Sequence, residues 1–173
     1  EIVMEKGIQE PAEILEQMGA MIYKLLDQGN TDNNDGMDIC LVRYDKQDNQ
    51  QSITFAGAKR PLIIYRNTSK SVDIIQGVRR SIGGYRLTKL NPSFKQSKIS
   101  VDQGDILYLT SDGYTDQCNP KRKKFTFKKF IREISNSAHL SVAEQKNYLA
   151  KNLADFQEGY QQRDDITVMG IKI

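Results

Sequence analysis

The chain has 173 residues, 25 of them Lys or Arg against 22 Asp or Glu for a net charge of +3, and hydrophobic residues make up 38%. That length suits about one domain, and the composition excludes collagen-like and generally disordered chains. No apolar run nears the ~18 residues that a membrane-spanning helix needs, and so small a net charge does not by itself point to a nucleic-acid binder.

In chain order, residues 12 to 28 place Ile14, Leu15, Met18, Met21, Ile22, Leu25 and Leu26 on one helical stripe, with Pro11 suited to the first turn and Gly29 to the stop. Short apolar runs then predict strands at Met37 to Tyr44, Ser52 to Ala56, Leu62 to Tyr65, Val72 to Ile75, Ile99 to Val101 and Ile106 to Thr110. The breaks at Asp45 to Gln50, Asn67 to Lys70 and Asp102 to Gly104 have hairpin-turn content, so a mostly antiparallel meander is expected. Helices should follow over Thr126 to Ile134 and Val142 to Phe156. The second is opened by Ser141 and Glu144 as a capping box and carries a stripe of Val142, Leu149, Leu153 and Phe156. The run Ile166 to Ile173 reads as a strand covered on both faces. Helix, about six strands, two helices and one strand make an α+β fold with helices on an antiparallel sheet, in a single domain spanning residues 1–173.

The available chemistry is narrow. GxGxxG, Walker, GxSxG and HExxH patterns are absent, and the one histidine, His139, falls between two predicted helices and reads as a surface residue. Cys40 and Cys118 lack metal-ligand spacing and read as reduced thiols of a cytoplasmic protein. What remains is carboxylate at strand ends: one strand finishes in Ser111-Asp112-Gly113, and Asp164 and Asp165 stand just before the last. If those strands are antiparallel neighbours, both acids meet at one rim, a site for a hard cation such as Mg²⁺ or Mn²⁺; each pair is otherwise an ordinary turn.

Seven of the 25 basic residues (Lys121, Arg122, Lys123, Lys124, Lys128, Lys129 and Arg132) fall in one acid-free stretch, leaving 18 to face 22 acids elsewhere. The stretch is either a solvated face or a patch for an anionic partner. Phe125, Phe127 and Phe130 interleave with it at a spacing that also buries a helix stripe.

Four blocks in order carry a resemblance: Asp35-Gly36-Met37-Asp38-Ile39, Phe55-Ala56-Gly57-Ala58-Lys59-Arg60-Pro61-Leu62, Gly104 to Gln117 around Ser111-Asp112-Gly113, and Gln162-Arg163-Asp164-Asp165-Ile166-Thr167-Val168. Together they resemble the metal-dependent protein phosphatase 2C superfamily of serine/threonine phosphatases, in its bacterial stage II sporulation protein E branch. The resemblance implies an antiparallel β-sandwich flanked by helices and a two-ion Mg²⁺ or Mn²⁺ site, with metal positions at Asp112, Gly113, Asp164 and Asp165. It also implies direct attack by activated water on a phosphorylated regulatory protein in bacterial signalling. An upstream sensor is implied in the parent protein, which could be membrane-anchored. The family's early acidic strand and Gly-His-Gly block have no counterpart here, so the chain is expected to be the C-terminal part of such a domain, weakly active or inactive alone. Unpaired sheet edges would then favour self-association.

Asp38 either reaches the metal rim or faces solvent from its strand. Asp116 either orients the site from outside it or is a turn acid. Lys59 and Arg60 either touch a substrate phosphate or merely shape a turn. Against the enzyme stands a non-catalytic module that binds a partner through the basic stretch. Nucleic-acid binding ranks last because the rest of the chain is net acidic.

Overall fold

The computed structural model describes residues 2–47, 50–84 and 92–173. Its elements in chain order are α1 (Pro11–Leu25), β1 (Gly36–Met37), β2 (Ile39–Gln47), β3 (Gln50–Ala58), β4 (Leu62–Arg66), β5 (Ser71–Ile75), β6 (Ile82–Gly83), β7 (Gln96–Ser100), β8 (Ile106–Thr110), α2 (Gly113–Asp116), α3 (Phe127–Ser137), α4 (Val142–Gln157) and β9 (Val168–Lys172). This is a mixed α+β fold. It divides into two compact units, one reaching to Leu62 and taking in Ile75–Val101, the other formed by Ile63–Ile74 and Asp102–Ile173.

In the first unit α1 packs with the sheet β2-β3-β7, whose pairs are antiparallel. Its core gathers Leu15, Ala56, Ala58, Ile82 and Phe94, with Met18 and Ile22 against them. The predicted helix stripe is wider than the face that is used, since Met21 is 39% and Leu25 84% exposed. A stripe seven residues long exceeds what one narrow sheet can cover, so its last turn projects beyond the core. The single strand expected over Met37 to Tyr44 is broken at Asp38: Gly36 and Met37 pair with β6, while Ile39 onward pairs with β3. The hairpin between β2 and β3 is present, Gln47 facing Gln50, with residues 48 and 49 outside the described ones.

In the second unit the sheet order is β5-β4-β8-β9. Ile63, Tyr65, Ile106 and Tyr108 from the sheet pack with Tyr114, Phe125, Phe130, Ile134, Leu149 and Leu153 from the helical segment. The α4 capping box forms as its sequence predicts, Ser141 Oγ accepting the Glu144 N–H while Glu144 accepts the Ser141 N–H. Val142 departs from its predicted stripe, 41% exposed at the first helical position.

Two further expectations are corrected. Residues 102–104 do not close a hairpin, because β7 and β8 belong to different sheets and the chain crosses between them. The sheet change is fixed by Asp105, 1% exposed, whose carboxylate accepts from Arg66 Nη1 at 2.9 Å and from the Asn67 and Asp102 N–H groups. Burial pulls the Arg66 guanidinium down, but hydrogen bonds to Asp73 and Asp105 more than offset it, so it stays charged. The last strand, expected to be covered on both faces, is the outer strand of its sheet, with Met169 53% and Ile171 40% exposed. Apolar side chains on both faces are therefore no guarantee of burial where a strand has one neighbour.

Candidate active site

The rim predicted from Asp112 and Asp164 depends on β8 and β9 being antiparallel neighbours, and they are, with Thr110 opposite Val168. Just beyond that last pair, Ser111 fastens the two chain segments three times. Its N–H donates to the Thr167 carbonyl at 3.1 Å, its Oγ donates to the Asp165 carbonyl at 2.9 Å, and the same Oγ accepts the Thr167 N–H at 3.0 Å. Gly113 then lies against the other segment so closely that a Cβ there would sit 2.3 Å from the Asp165 carbonyl oxygen. Only a residue without a side chain permits that approach. Asp112 and Asp164 thus flank one backbone contact between residues 113 and 165.

The loop before β9 is pinned by Gln117, fully buried at 0% exposure. Its Nε2 donates to the Cys118 and Gln161 carbonyls at 3.0 and 3.1 Å, and its Oε1 accepts the Arg163 N–H. Ser111 and Gln117 are the site-building residues that sequence reasoning did not single out. Both stand inside the Gly104 to Gln117 block, but nothing in a sequence shows that a glutamine will be buried. Asp164 and Asp165 are exposed, and Asp164 Oδ1 accepts the Asp165 N–H at 2.8 Å. An apolar groove of about 610 Å³ opens beside this loop, lined by Tyr108, Leu149, Leu153, Ile166 and Val168 among others.

The other candidates have protein partners of their own. Asp116 pairs with Lys124 at 3.0 Å and takes no part in the rim contacts just described. Asp38 and Arg60 belong to the first unit, where they engage each other at 3.2 Å, with Lys59 Nζ 3.7 Å from Asp38 and the Ser81 hydroxyl donating to it. Asp38 is therefore a bonded carboxylate and not a solvent-facing one. Arg60 is positioned on protein carboxylate, in a turn so tight that a Cβ at Gly57 would lie 2.3 Å from the Arg60 carbonyl. His139 is exposed between α3 and α4, as its sequence context predicts.

The donors the rim offers are all oxygen, which suits Mg²⁺ or Mn²⁺, cations commonly held by one or two carboxylates with water completing the shell. Among the described residues no three Asp, Glu, His or Cys side chains come together in a group that could hold a metal ion. The donor set is compatible with an open, partly hydrated site and not with a buried structural one.

Comparison with solved structures places this architecture among protein phosphatase 2C domains. The PP2C domain of SiaA from Pseudomonas aeruginosa matches with a TM-score of 0.83 and 25% identity over 99% of this chain, which spans 64% of the length of that domain. The Mn-presoaked phosphatase domain of SpoIIE from Bacillus subtilis matches with a TM-score of 0.58 and 21% identity over 99% of this chain and 68% of that one. A structure of the RsbU and RsbW domains of a Mycobacterium tuberculosis protein matches with a TM-score of 0.69 and 15% identity over 99% of this chain and 44% of that one. No curated protein sequence matches. The family model for stage II sporulation protein E (SpoIIE) matches residues 2–173, and the chain belongs to that family of PP2C-type serine/threonine phosphatase domains. Among the described residues no helix is long and apolar enough to cross a membrane.

Proposed function

We propose that the chain carries the late metal-binding half of a Mg²⁺- or Mn²⁺-dependent phosphoserine/phosphothreonine protein phosphatase, acting on a phosphorylated regulatory protein in a bacterial signalling system. The observation that supports this reading is the backbone contact between Gly113 and Asp165, fastened by Ser111, which joins the chain segments that carry Asp112 and Asp164. Family membership supports the reaction class, and the 64% span of the SiaA domain supports a larger catalytic unit that supplies the remaining ligands. Asp112 and Asp164 are the carboxylates that would hold the cations, with water and the ligands of the larger unit completing the shell and Asp165 next in the chain as an alternative to Asp164. When bound, such ions lower the pKa of water and offset phosphate charge. The protein's part is positional: Ser111 and Gln117 hold the two segments in place without side-chain contact to phosphate, and the exposure of Asp164 and Asp165 leaves the rim open to a phosphorylated side chain.

The test is Mn²⁺-dependent hydrolysis of p-nitrophenyl phosphate by this chain and by a domain of the full SiaA length. Activity should need the longer form, and there Asp112→Asn and Asp164→Asn should each reduce turnover to background. Full activity in either variant overturns the assignment. A longer form inactive with every cation leaves the non-catalytic interaction module as the reading.

A further inference from the structure

The basic stretch is not a loose solvated run. Its first half is a closed turn in which Cys118 bridges Lys124. Asn119 Oδ1 accepts the N–H groups of both Lys121 and Lys123, at 3.1 and 3.0 Å, and the Arg122 N–H donates to the Asn119 carbonyl at 2.8 Å. Arg122 takes a left-handed conformation with φ 57, and the turn leaves through Thr126 at φ 78, ψ 146, a region that a β-branched residue rarely enters. Strain of this kind, on the order of 1–3 kcal/mol per residue, persists where surrounding structure imposes it and is common at ligand clamps. Here the turn is imposed by its neighbours: the Phe125 and Thr126 N–H groups donate to the Gln117 and Thr115 carbonyls, and Lys124 pairs with Asp116. Thr115 in turn donates its hydroxyl to the Asp112 carbonyl at 3.0 Å. The turn is therefore hydrogen-bonded directly to the segment that carries Asp112.

The charges divide into two sets. Lys124 pairs with Asp116, Arg132 with Glu133, and Lys129 lies over the Phe125 and Phe156 rings, so these three are absorbed by the protein. Lys121, Arg122, Lys123 and Lys128 are exposed and make no ion pair or side-chain hydrogen bond among the described residues. Three unpaired cations on a preorganised turn, with Lys128 in the first turn of α3, suit a short anionic segment. The chain elsewhere has 18 basic residues facing 22 acids, which disfavours a long polyanion or a charged bilayer lying across it. We infer that the turn 121–124 with Lys128 is a docking surface for acidic residues flanking the phosphorylated side chain of a protein substrate, and so selects which phosphoprotein reaches the Asp112 rim. This rests on the phosphatase reading for its catalytic meaning and on the turn alone for binding.

Binding can be read without catalysis, by fluorescence anisotropy of two labelled phosphoserine peptides, one with Glu and Asp flanks and one with neutral flanks, on the full-length protein. The acidic peptide should bind tighter. K121Q/R122Q/K123Q should weaken it about tenfold, as three exposed charge contacts permit, and flatten its salt dependence. The neutral peptide should shift less than twofold, as should the acidic peptide with a charge-matched control, K24Q/K146Q/K151Q. Lys128→Gln alone should weaken the acidic peptide two- to threefold. Because the turn is held by Asn119, backbone groups and the Lys124 pair with Asp116, and not by the side chains of Lys121, Arg122, Lys123 or Lys128, these variants keep the fold, which circular dichroism checks. Equal affinity of the triple variant and the parent overturns the inference, as does equal affinity of the two peptides. Binding of duplex DNA or phosphatidylserine vesicles in place of the acidic peptide overturns it as well. Acid-selective binding without any Mn²⁺-dependent hydrolysis would sink the phosphatase reading and leave the docking surface standing.

Discussion

Asp38 and Asp164 are both acids beside a strand in a family motif, and the structure treats them oppositely. Asp38, in the first unit, is held by Arg60, Lys59 and the Ser81 hydroxyl. Asp164, in the second, is exposed and accepts from the next residue's N–H, with no ion pair among the described residues. A carboxylate already neutralised by two cations has little left to offer a metal. One without a protein cation keeps that capacity at the cost of unrelieved charge. What separates a structural acid from a candidate ligand is the surrounding counter-charge, and motif membership does not reveal it.

After loss of Asp112 or Asp164 themselves, the largest effect should come from Gly113→Ala. The added methyl would collide with the Asp165 carbonyl oxygen at 2.3 Å, and because that oxygen belongs to the backbone, one segment must move. Turnover of the complete domain should fall at least about 100-fold, with about 1–3 kcal/mol of stability lost to overpacking. Kinetics and thermal melting together check this, and near-normal kinetics would show that the rim tolerates displacement. Asp38→Asn should do the reverse, costing about 1–2 kcal/mol in chemical denaturation through weakened charged hydrogen bonds while leaving the Mn²⁺ concentration for half-activity unchanged. A raised Mn²⁺ requirement would return Asp38 to the metal rim and dissolve the contrast drawn above.

The smallest effect concerns pH. Burial pushes the Glu133 carboxyl up, but hydrogen bonds from Tyr148, Arg132 and Asn136 prevail and hold it below the usual Glu value of 4.5. A depressed folded-state pKa contributes stability that is present above pH 4.5 and lost as pH falls through the lowered value. Glu133→Gln should therefore reduce stability at pH 7 and flatten its decline on acidification, measured as denaturation midpoints from pH 7 down to about 3. An unchanged acid slope would show that other carboxylates dominate there.

Much of this was legible in the sequence, and the reasons are local. Ser141 with Glu144 and Pro11 before an apolar stripe express short-range chemistry, and each appears in the structure where its spacing predicts; β8 and β9 pair as neighbours, although β9 begins at Val168 and not at Ile166. The departures are long-range. Asp38 interrupts its strand because partners 22 and 43 residues away capture it, and residues 102–104 cross between sheets because Asp105 binds Arg66, 39 residues upstream. Periodicity reports which residues are apolar but not how many neighbours a strand will have, so the β9 sequence reads as covered although the strand lies at an edge. The role of Gln117 is invisible in the sequence because it comes from burial.

The rim is also late in time. Ser111 bonds to Thr167, 56 residues further along the chain. At roughly 5–20 residues per second of synthesis, Asp112 emerges about 3–11 s before its opposite wall exists. During that interval β8 has no β9 beside it, and Asp112 sits at the end of an unfinished sheet. A growing chain therefore holds Asp112 beside an open sheet edge until residues 168–172 have been made and can pair there.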